Sequence, residues 1–344
     1  MSLTVYEPML VGKAPKDYKD KFQNEKIIGT IKKDGYWSQL IKDDNEIHLY
    51  SRSISKKTGF YSDNIEKVPH LKEWAGENLP NGTTIIGEIY YPGGSSKNVT
   101  SVMGALPEKA IERQNNEYGR LHFYMHDILA YAGVDFVESE IPYSKRYSNL
   151  CEYIDINTPL IQETEIAECY DNTYLDLELE VNKAFAAGEE GMVFRTEDGL
   201  YAPGKRQPKV MFKIKEHVDN IDFVITEVLP PEYLYTGKEA DTWPYRDAEG
   251  NLITKAAYNN WAGAFRLGAY DNNGNLVSTG RVSSGVTDWM KELAGKEPKR
   301  FIGQTVEVNC MSLDKENRTF RHPYLVRMRP DKNPNECRLN EIFD

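Results

Sequence analysis

Thr30-Ile31-Lys32-Lys33-Asp34-Gly35-Tyr36-Trp37 is the stretch on which the reading of this chain turns. Ile27 to Lys32 is an isoleucine-rich run, which predicts a strand. Asp34-Gly35 suits a turn, because the aspartate side chain bonds back to nearby backbone and glycine accepts unusual φ values. Two adjacent lysines therefore stand at a strand end. A solvated turn is one explanation; an amine held for nucleophilic work is the other. Outward from this point, Trp37 to Lys42 and Glu46 to Ser51 read as strands joined at Asp43-Asp44-Asn45. Thr83 to Tyr91 reads as a strand ended by Pro92-Gly93-Gly94, and Leu121 to Leu129, Met192 to Arg195 and Lys209 to Lys215 as further strands. Helices are expected over Val68 to Asn78, over Glu108 to Glu117 behind Pro107, over Tyr143 to Ile154 with Ser144 as cap, and over Leu177 to Ala187 with Gly188 closing it.

After Lys215 the texture changes to short strands and turns, as in IDFVITEVL, AFRLGAYDNNGNLVSTGRV, TVEVNCMSL and YLVRMR. Asn272-Asn273-Gly274-Asn275 is a hairpin signal. A small β-barrel, with an oligonucleotide-binding (OB) fold as the candidate, suits this half. The expected boundary falls at Glu216-His217, giving domains 1–216 and 217–344, and Pro230 to Ala262 reads as a long irregular insertion. At 344 residues two domains are the natural expectation.

The charge balance, 42 Lys and Arg against 53 Asp and Glu for a net −11, gives no global footprint for nucleic acid. Such a partner needs a local basic face, and Arg318, Arg321, Arg327, Arg329 and Lys332 fall close together in sequence. Cys151, Cys169, Cys310 and Cys337 are scattered without metal-ligand spacing, which argues against a zinc site or a disulfide framework and suits a reducing cytoplasm. MSLTVYEPML lacks a basic segment followed by an apolar core, and no apolar run is long enough to span a bilayer, so neither a signal peptide nor a membrane is expected.

Taken singly, Lys32-Lys33-Asp34-Gly35, Gly87-Glu88, Glu189-Glu190-Gly191, Lys213-Ile214-Lys215 and Arg327-Met328-Arg329 each have an ordinary structural explanation. Their order carries the information: a strand-end lysine, a strand glutamate, His126-Asp127, a Glu-Glu-Gly turn feeding a strand, a Lys-x-Lys strand and a closing basic element. In this order the chain resembles ATP-dependent DNA ligases of the short bacteriophage type, within the covalent nucleotidyltransferase superfamily. Pro8-Met9-Leu10 is similar to the stretch that opens the ligase core, and Lys32 to Gly35 to the nucleophile motif KxDG. Ser51-Arg52-Ser53, Gly87-Glu88, Phe123 to Leu129, Glu189 to Val193 (EEGxV), Lys213-Ile214-Lys215 (KxK) and Arg321 to Lys332 (ending RxDK) match the later motifs in turn.

The resemblance implies an α+β nucleotidyltransferase domain, an ATP-grasp-like ligase adenylation domain with antiparallel sheets, followed by an all-β OB-fold domain that binds DNA. It implies that Lys32 attacks the α-phosphorus of ATP, with Lys33, Lys213 and Lys215 lowering its charge and holding the triphosphate. Glu190 takes the second carboxylate role, with Mg²⁺ near it. Glu88 binds ribose hydroxyls or helps to place the metal. Arg52 anchors phosphate, and Arg329, Asp331 and Lys332 orient the leaving pyrophosphate. Three positions depart from the family pattern. Trp37 stands where a ribose-contacting arginine belongs. Thr30 replaces an acid or amide that reads the base, so base selection rests more on the backbone of Thr30 and Ile31. His126 replaces a stacking Phe or Trp, with Tyr124 in reserve. The implied partner is nicked double-stranded DNA, and the implied state a monomer. Pro230 to Ala262 is a candidate clasp around duplex, although Lys238, Arg246 and Lys255 are balanced by Glu232, Glu239, Asp241, Asp247 and Glu249. An RNA ligase or an mRNA capping guanylyltransferase uses the same lysine chemistry; an NAD-dependent ligase carries a zinc-binding cysteine cluster absent here. A non-catalytic OB-fold binding protein is the rival from another class.

Overall fold

The computed structural model describes residues 4–55, 58–93, 96–154, 163–215, 218–237, 239–240 and 242–343. Gly94, Glu216, His217, Lys238 and Asp241, each part of an expectation above, lie outside them. The chain divides into two compact units, residues 1–215 and 216–344.

Two sheets build the first unit. In one, the strands run in the order Gly12–Lys13, Met211–Lys215, Gly191–Thr196, Ile27–Ile31, Cys169–Asp171, antiparallel except for the first pair. Side chains alternate across a strand, so each strand serves two faces. Ile27, Met192, Phe194 and Phe212 are buried on one face against Leu177, Val181 and Ala184 of the helix Leu177–Ala186. The other face is left for Thr30, Lys32, Val193, Lys213 and Lys215. The second sheet runs Tyr61–Asp63, Glu46–Ile54, Tyr36–Asp43, Thr83–Tyr90, His122–Tyr131, Val134–Asp135, with Thr164–Ile166 parallel beside His122–Tyr131. Leu40, Leu49, Ile85, Ile89 and Phe123 pack under Leu71 and Trp74 of the helix Pro69–Asn78 and Val99 and Val102 of the helix Ser96–Met103. Each such side chain contributes roughly 1.5–3 kcal/mol on burial. The hairpin between Tyr36–Asp43 and Glu46–Ile54 turns on Asp44 and Asn45 at φ 45° and 63°, the paired positive values that match strand twist.

Ser144 does not cap its helix. Pro142 occupies the cap position of Tyr143–Tyr153, and Tyr143 and Ser144 donate their N–H groups to Gly199 O at 2.9 Å and Glu197 O at 3.0 Å. The loop after the Gly191–Thr196 strand thus satisfies the first-turn donors that a side chain would otherwise serve.

In the second unit five strands lie in the order Leu276–Val282, Ala264–Tyr270, Val218–Leu229, Thr305–Cys310, Tyr324–Met328. A parallel bridge from Ser284 to Tyr324 brings the two ends of that order together, closing a five-stranded OB barrel around Phe223, Ile225, Phe265, Leu267, Val306 and Val308. Asp271 Oδ1 accepts from Asn273 N and Asn275 N in the expected hairpin, with Gly274 at φ 81°. To the short strands and turns expected here the structure adds a helix, Asp288–Lys296, between the strands Leu276–Val282 and Thr305–Cys310; Thr287 caps it through Met290 N, and Met290 and Ala294 face the core. The insertion expected to be irregular carries its own aromatic packing. Tyr235 and Trp243 stack with centroids 3.8 Å apart, and Trp243 Nε1 donates to Ile253 O at 2.7 Å. A short helix, Lys255–Tyr258, follows Thr254 as its cap.

Candidate active site

Lys32 follows the last residue of the Ile27–Ile31 strand, and its N–H donates to Gly191 O at 2.8 Å. Register sets its neighbours: Val193 pairs with Thr30 on one side and Lys213 on the other, while Gly191 pairs with Lys215. The Glu-Glu-Gly turn that precedes Gly191 is fixed by backbone geometry. Gly188 sits at φ 79° and donates to Phe185 O, and Glu189 N donates to Ala184 O, a two-bond closure of the helix Leu177–Ala186 that needs a left-handed residue. At Gly191, φ is 137° and a Cβ would lie 2.1 Å from Ile214 O. Helix closure and strand entry together deliver Glu189 and Glu190 to the two lysines of the opening motif.

Glu190 spends one carboxylate oxygen on Lys32 Nζ and the other on Lys215 Nζ. Lys33 lines the same cleft as Lys32 but has its own carboxylate. Its ammonium pairs with Glu189 at 2.7 Å and lies over the rings of Tyr90 and Tyr124, 5.2 and 5.3 Å from their centroids. Adjacent residues in an extended segment point apart, which is why the two lysines have separate carboxylates. Nor is the company of Lys32 purely cationic, since Glu190 touches it directly. The lysine pushed down is Lys213, to about 8, by burial first and then by the charges of Lys215 and Lys32. Glu88, on the Thr83–Tyr90 strand opposite Trp37, is pushed up to about 7 by burial, with Glu190 and Asp34 adding to the rise and Lys32 opposing it. Gly87 before it admits no side chain, because a Cβ would stand 2.5 Å from the Phe123 ring.

Thr30, Ile31, Lys32, Arg52, Glu88, His126, Lys213 and Lys215, all expected at the site, line one cleft. Trp37 lines it too and packs with Tyr6, Ile86 and Leu129, so an aromatic wall stands where the family places an arginine. The deep end holds residues the sequence reading did not assign. Arg146 makes a two-pronged pair with Asp127, at 2.8 and 3.0 Å, and also donates to Ile141 O. Arg195 donates to Thr30 Oγ1 at 3.3 Å, meets His126 Nδ1 at 3.2 Å, and lies over the Tyr143 ring, 4.8 Å from its centroid. Burial first and the Arg195 charge next push His126 well below the ordinary histidine range, so its ring is neutral. The signal for Arg195 was there: two residues beyond Val193 in a strand, it had to share that face.

Arg329, Asp331 and Lys332 belong to the second unit. Of the basic run Arg318, Arg321, Arg327, Arg329 and Lys332, the last three are ion-paired. Arg329 pairs with Asp331 at 2.9 Å, Asp222 at 3.1 Å and Glu307 at 3.3 Å; Lys332 pairs with Asp222 at 3.2 Å and Arg327 with Glu307 at 2.9 Å. Asp331 is held below the usual carboxylate range, chiefly by its hydrogen bond from Arg329.

Among the described residues no group of three or more His, Cys, Asp or Glu side chains could hold a metal ion, and no helix is long and apolar enough to cross a membrane. Cys151, Cys169 and Cys337 carry free thiols.

Comparison with known proteins places the arrangement. DNA ligases of Methanocaldococcus jannaschii and Thermococcus fumicolans are 24% and 25% identical over 98% and 91% of this chain, covering 59% and 54% of their own length. The chain therefore spans little more than half the length of these curated relatives. Solved structures share the fold: one described as Pmar-Lig_PreS3, with a TM-score of 0.65 at 15% identity over 95% of this chain and 68% of that one, and a Lig E DNA ligase, 0.58 at 15% over 94% and 99%. A family model, ATP dependent DNA ligase domain, matches residues 8–215, the segment that carries the lysines, the carboxylates and the deep arginines, and the chain belongs to that family.

Proposed function

We propose that this chain is a DNA ligase that seals nicks in duplex DNA through a lysyl-AMP intermediate on Lys32. The observation that carries the reading is the strand-end Lys32 bound, with Lys215, to the two oxygens of Glu190 at the mouth of a cleft whose deep end is aromatic. Lys213, Lys215 and Arg52 give the mouth a cationic field for a triphosphate, and Glu190 is placed to accept a proton from Lys32 and leave its amine free to attack. The Lys32 nitrogen forms a bond to the α-phosphorus, the bond to the bridging oxygen breaks, and pyrophosphate leaves, its charge met by the lysines. AMP then passes to the 5′-phosphate at a nick, with Arg52 as phosphate anchor. The 3′-hydroxyl attacks, the strand is sealed and AMP departs.

Glu88 and Glu190 suit Mg²⁺ only as an ion that arrives on the nucleotide, because such ions are held by one or two carboxylates together with phosphates and water. Glu88, whose proton affinity is raised first by burial and then by Glu190 and Asp34, would be held charged by a cation beside it. When bound, the ion would neutralise charge on the phosphoryl oxygens. The first unit is the adenylation domain in this reading and the OB barrel the DNA-binding domain, meeting mainly phosphates. Arg329, Asp331 and Lys332 serve pyrophosphate departure once released from Asp222 and Glu307, and the enzyme works as a monomer.

Incubation with ATP labelled at the α-phosphate, with Mg²⁺, should leave acid-labile label on the wild-type chain and none on Lys32→Ala. Equal labelling of both would sink the nucleophile assignment. Label from GTP in place of ATP would point to capping chemistry.

A further inference from the structure

Two arginines lie buried in the deep end of the cleft, at 2% exposure for Arg146 and 7% for Arg195. Arg146 is neutralised by Asp127 and also donates to two backbone carbonyls. Among the described residues no carboxylate lies within ion-pair distance of Arg195. A buried guanidinium without a counter-charge is costly, and two of its five N–H donors are committed, one to Thr30 and one to His126. Arginine cannot accept a hydrogen bond, so His126 Nδ1 must be the acceptor of their contact, and the imidazole proton sits on Nε2. The site therefore offers donors where the family pattern places an acceptor. The strand also orders the cleft. Gly191 is beside Lys32 and Lys215, Val193 beside Lys213, and Arg195 two residues deeper, so Arg195 stands about 13 Å along the strand from the lysine end. Phosphates belong at the lysine end and the base at the Arg195 end.

We propose that Arg195 sets the base specificity of the cleft by donating a hydrogen bond to a ring-nitrogen acceptor of the bound purine, and that it positions His126 by fixing the imidazole proton on Nε2. Recognition then rests on the acceptor edge of the purine instead of its exocyclic amino group. This rests on the reading of the cleft as a nucleotide site.

The test uses the full chain and compares binding of ATP with that of 1-deaza-, 3-deaza- and 7-deaza-ATP, each lacking one ring nitrogen, in wild type, Arg195→Met and Arg195→Lys. One deaza analogue should bind wild type at least about tenfold more weakly than ATP. That ratio should fall near one in Arg195→Met, with ATP itself weakened and the analogue little changed. Arg195→Lys keeps the charge but loses the fork and provides the readout if the methionine variant does not fold; its ratio should also shrink. Nitrogen chemical shifts of His126 should show an unprotonated Nδ1 in wild type and a mixture of tautomers in the variants. Unchanged ratios for all three analogues in both variants, or an Nδ1-protonated ring in wild type, would overturn the proposal. A wild-type chain that binds neither ATP nor any analogue would instead sink the nucleotide-site reading on which it stands.

Discussion

The two units of this chain each gather acidic and basic side chains, and they do so to opposite effect. At the cleft of the first unit Lys32, Lys213, Lys215 and Arg52 face Glu190 and Glu88, so these cations outnumber these carboxylates. On the barrel Arg327, Arg329 and Lys332 meet Asp222, Glu307, Asp331 and Glu336, three against four, and the charges close on one another. Adjacent arginines in a sequence therefore need not be unpaired cations. The sign of a surface depends on which carboxylates the fold brings beneath it, and strands distant in sequence supplied Asp222 and Glu307 here.

Substitutions can break or sharpen this contrast. Beyond the complete loss expected from removing Lys32, the largest effect should come from Glu190→Gln. It removes the charge that both Lys32 and Lys215 use, and the rate of lysyl-AMP formation should fall roughly 100-fold with the fold intact. Single-turnover labelling measures it, and a change below about threefold would mean that Glu190 only organises the cleft. On the barrel the same kind of change should read out in stability. Glu307 is buried and serves both Arg327 and Arg329, so Glu307→Ala should cost about 2 kcal/mol. Denaturant unfolding of the barrel transition measures this. An unchanged midpoint would mean that the network is solvated and contributes nothing.

The smallest effect is a pH dependence. Lys213 carries its charge below about 8 and loses it above, because burial and two neighbouring lysines disfavour the charged form. If it holds phosphate, KM for ATP should rise about fivefold between pH 7 and pH 9. Lys213→Arg, charged throughout, should flatten that limb. Glu88, titrating near 7, faces the same cations and would add an earlier limb that Lys213→Arg retains. Identical profiles for the two proteins would remove Lys213 from the phosphate site.

Much of the site was legible because its elements are local. Strand periodicity placed the strands that carry Lys32, Glu88, Lys213 and Lys215, Gly188 marked the helix end before Glu189 and Glu190, and motif order with the family resemblance joined them into one site. The helix Asp288–Lys296 was missed although Thr287, Met290, Leu293 and Ala294 carry the cap and the apolar spacing, since the surrounding strands dominated the pattern. Ser144 looked like a cap only because the loop that takes its place comes half a domain later in the chain.

The amino-acid sequence alone determined most strands of both units and the division near Lys215, because periodicity and turn chemistry act over a few residues. Only tertiary structure decided which charge meets which. It gave Lys33 and Lys32 separate carboxylates, closed the barrel arginines on Asp222 and Glu307, and left Arg195 buried against His126 with no carboxylate in ion-pair distance among the described residues. Those outcomes depend on register between strands far apart in the chain, which no local pattern encodes.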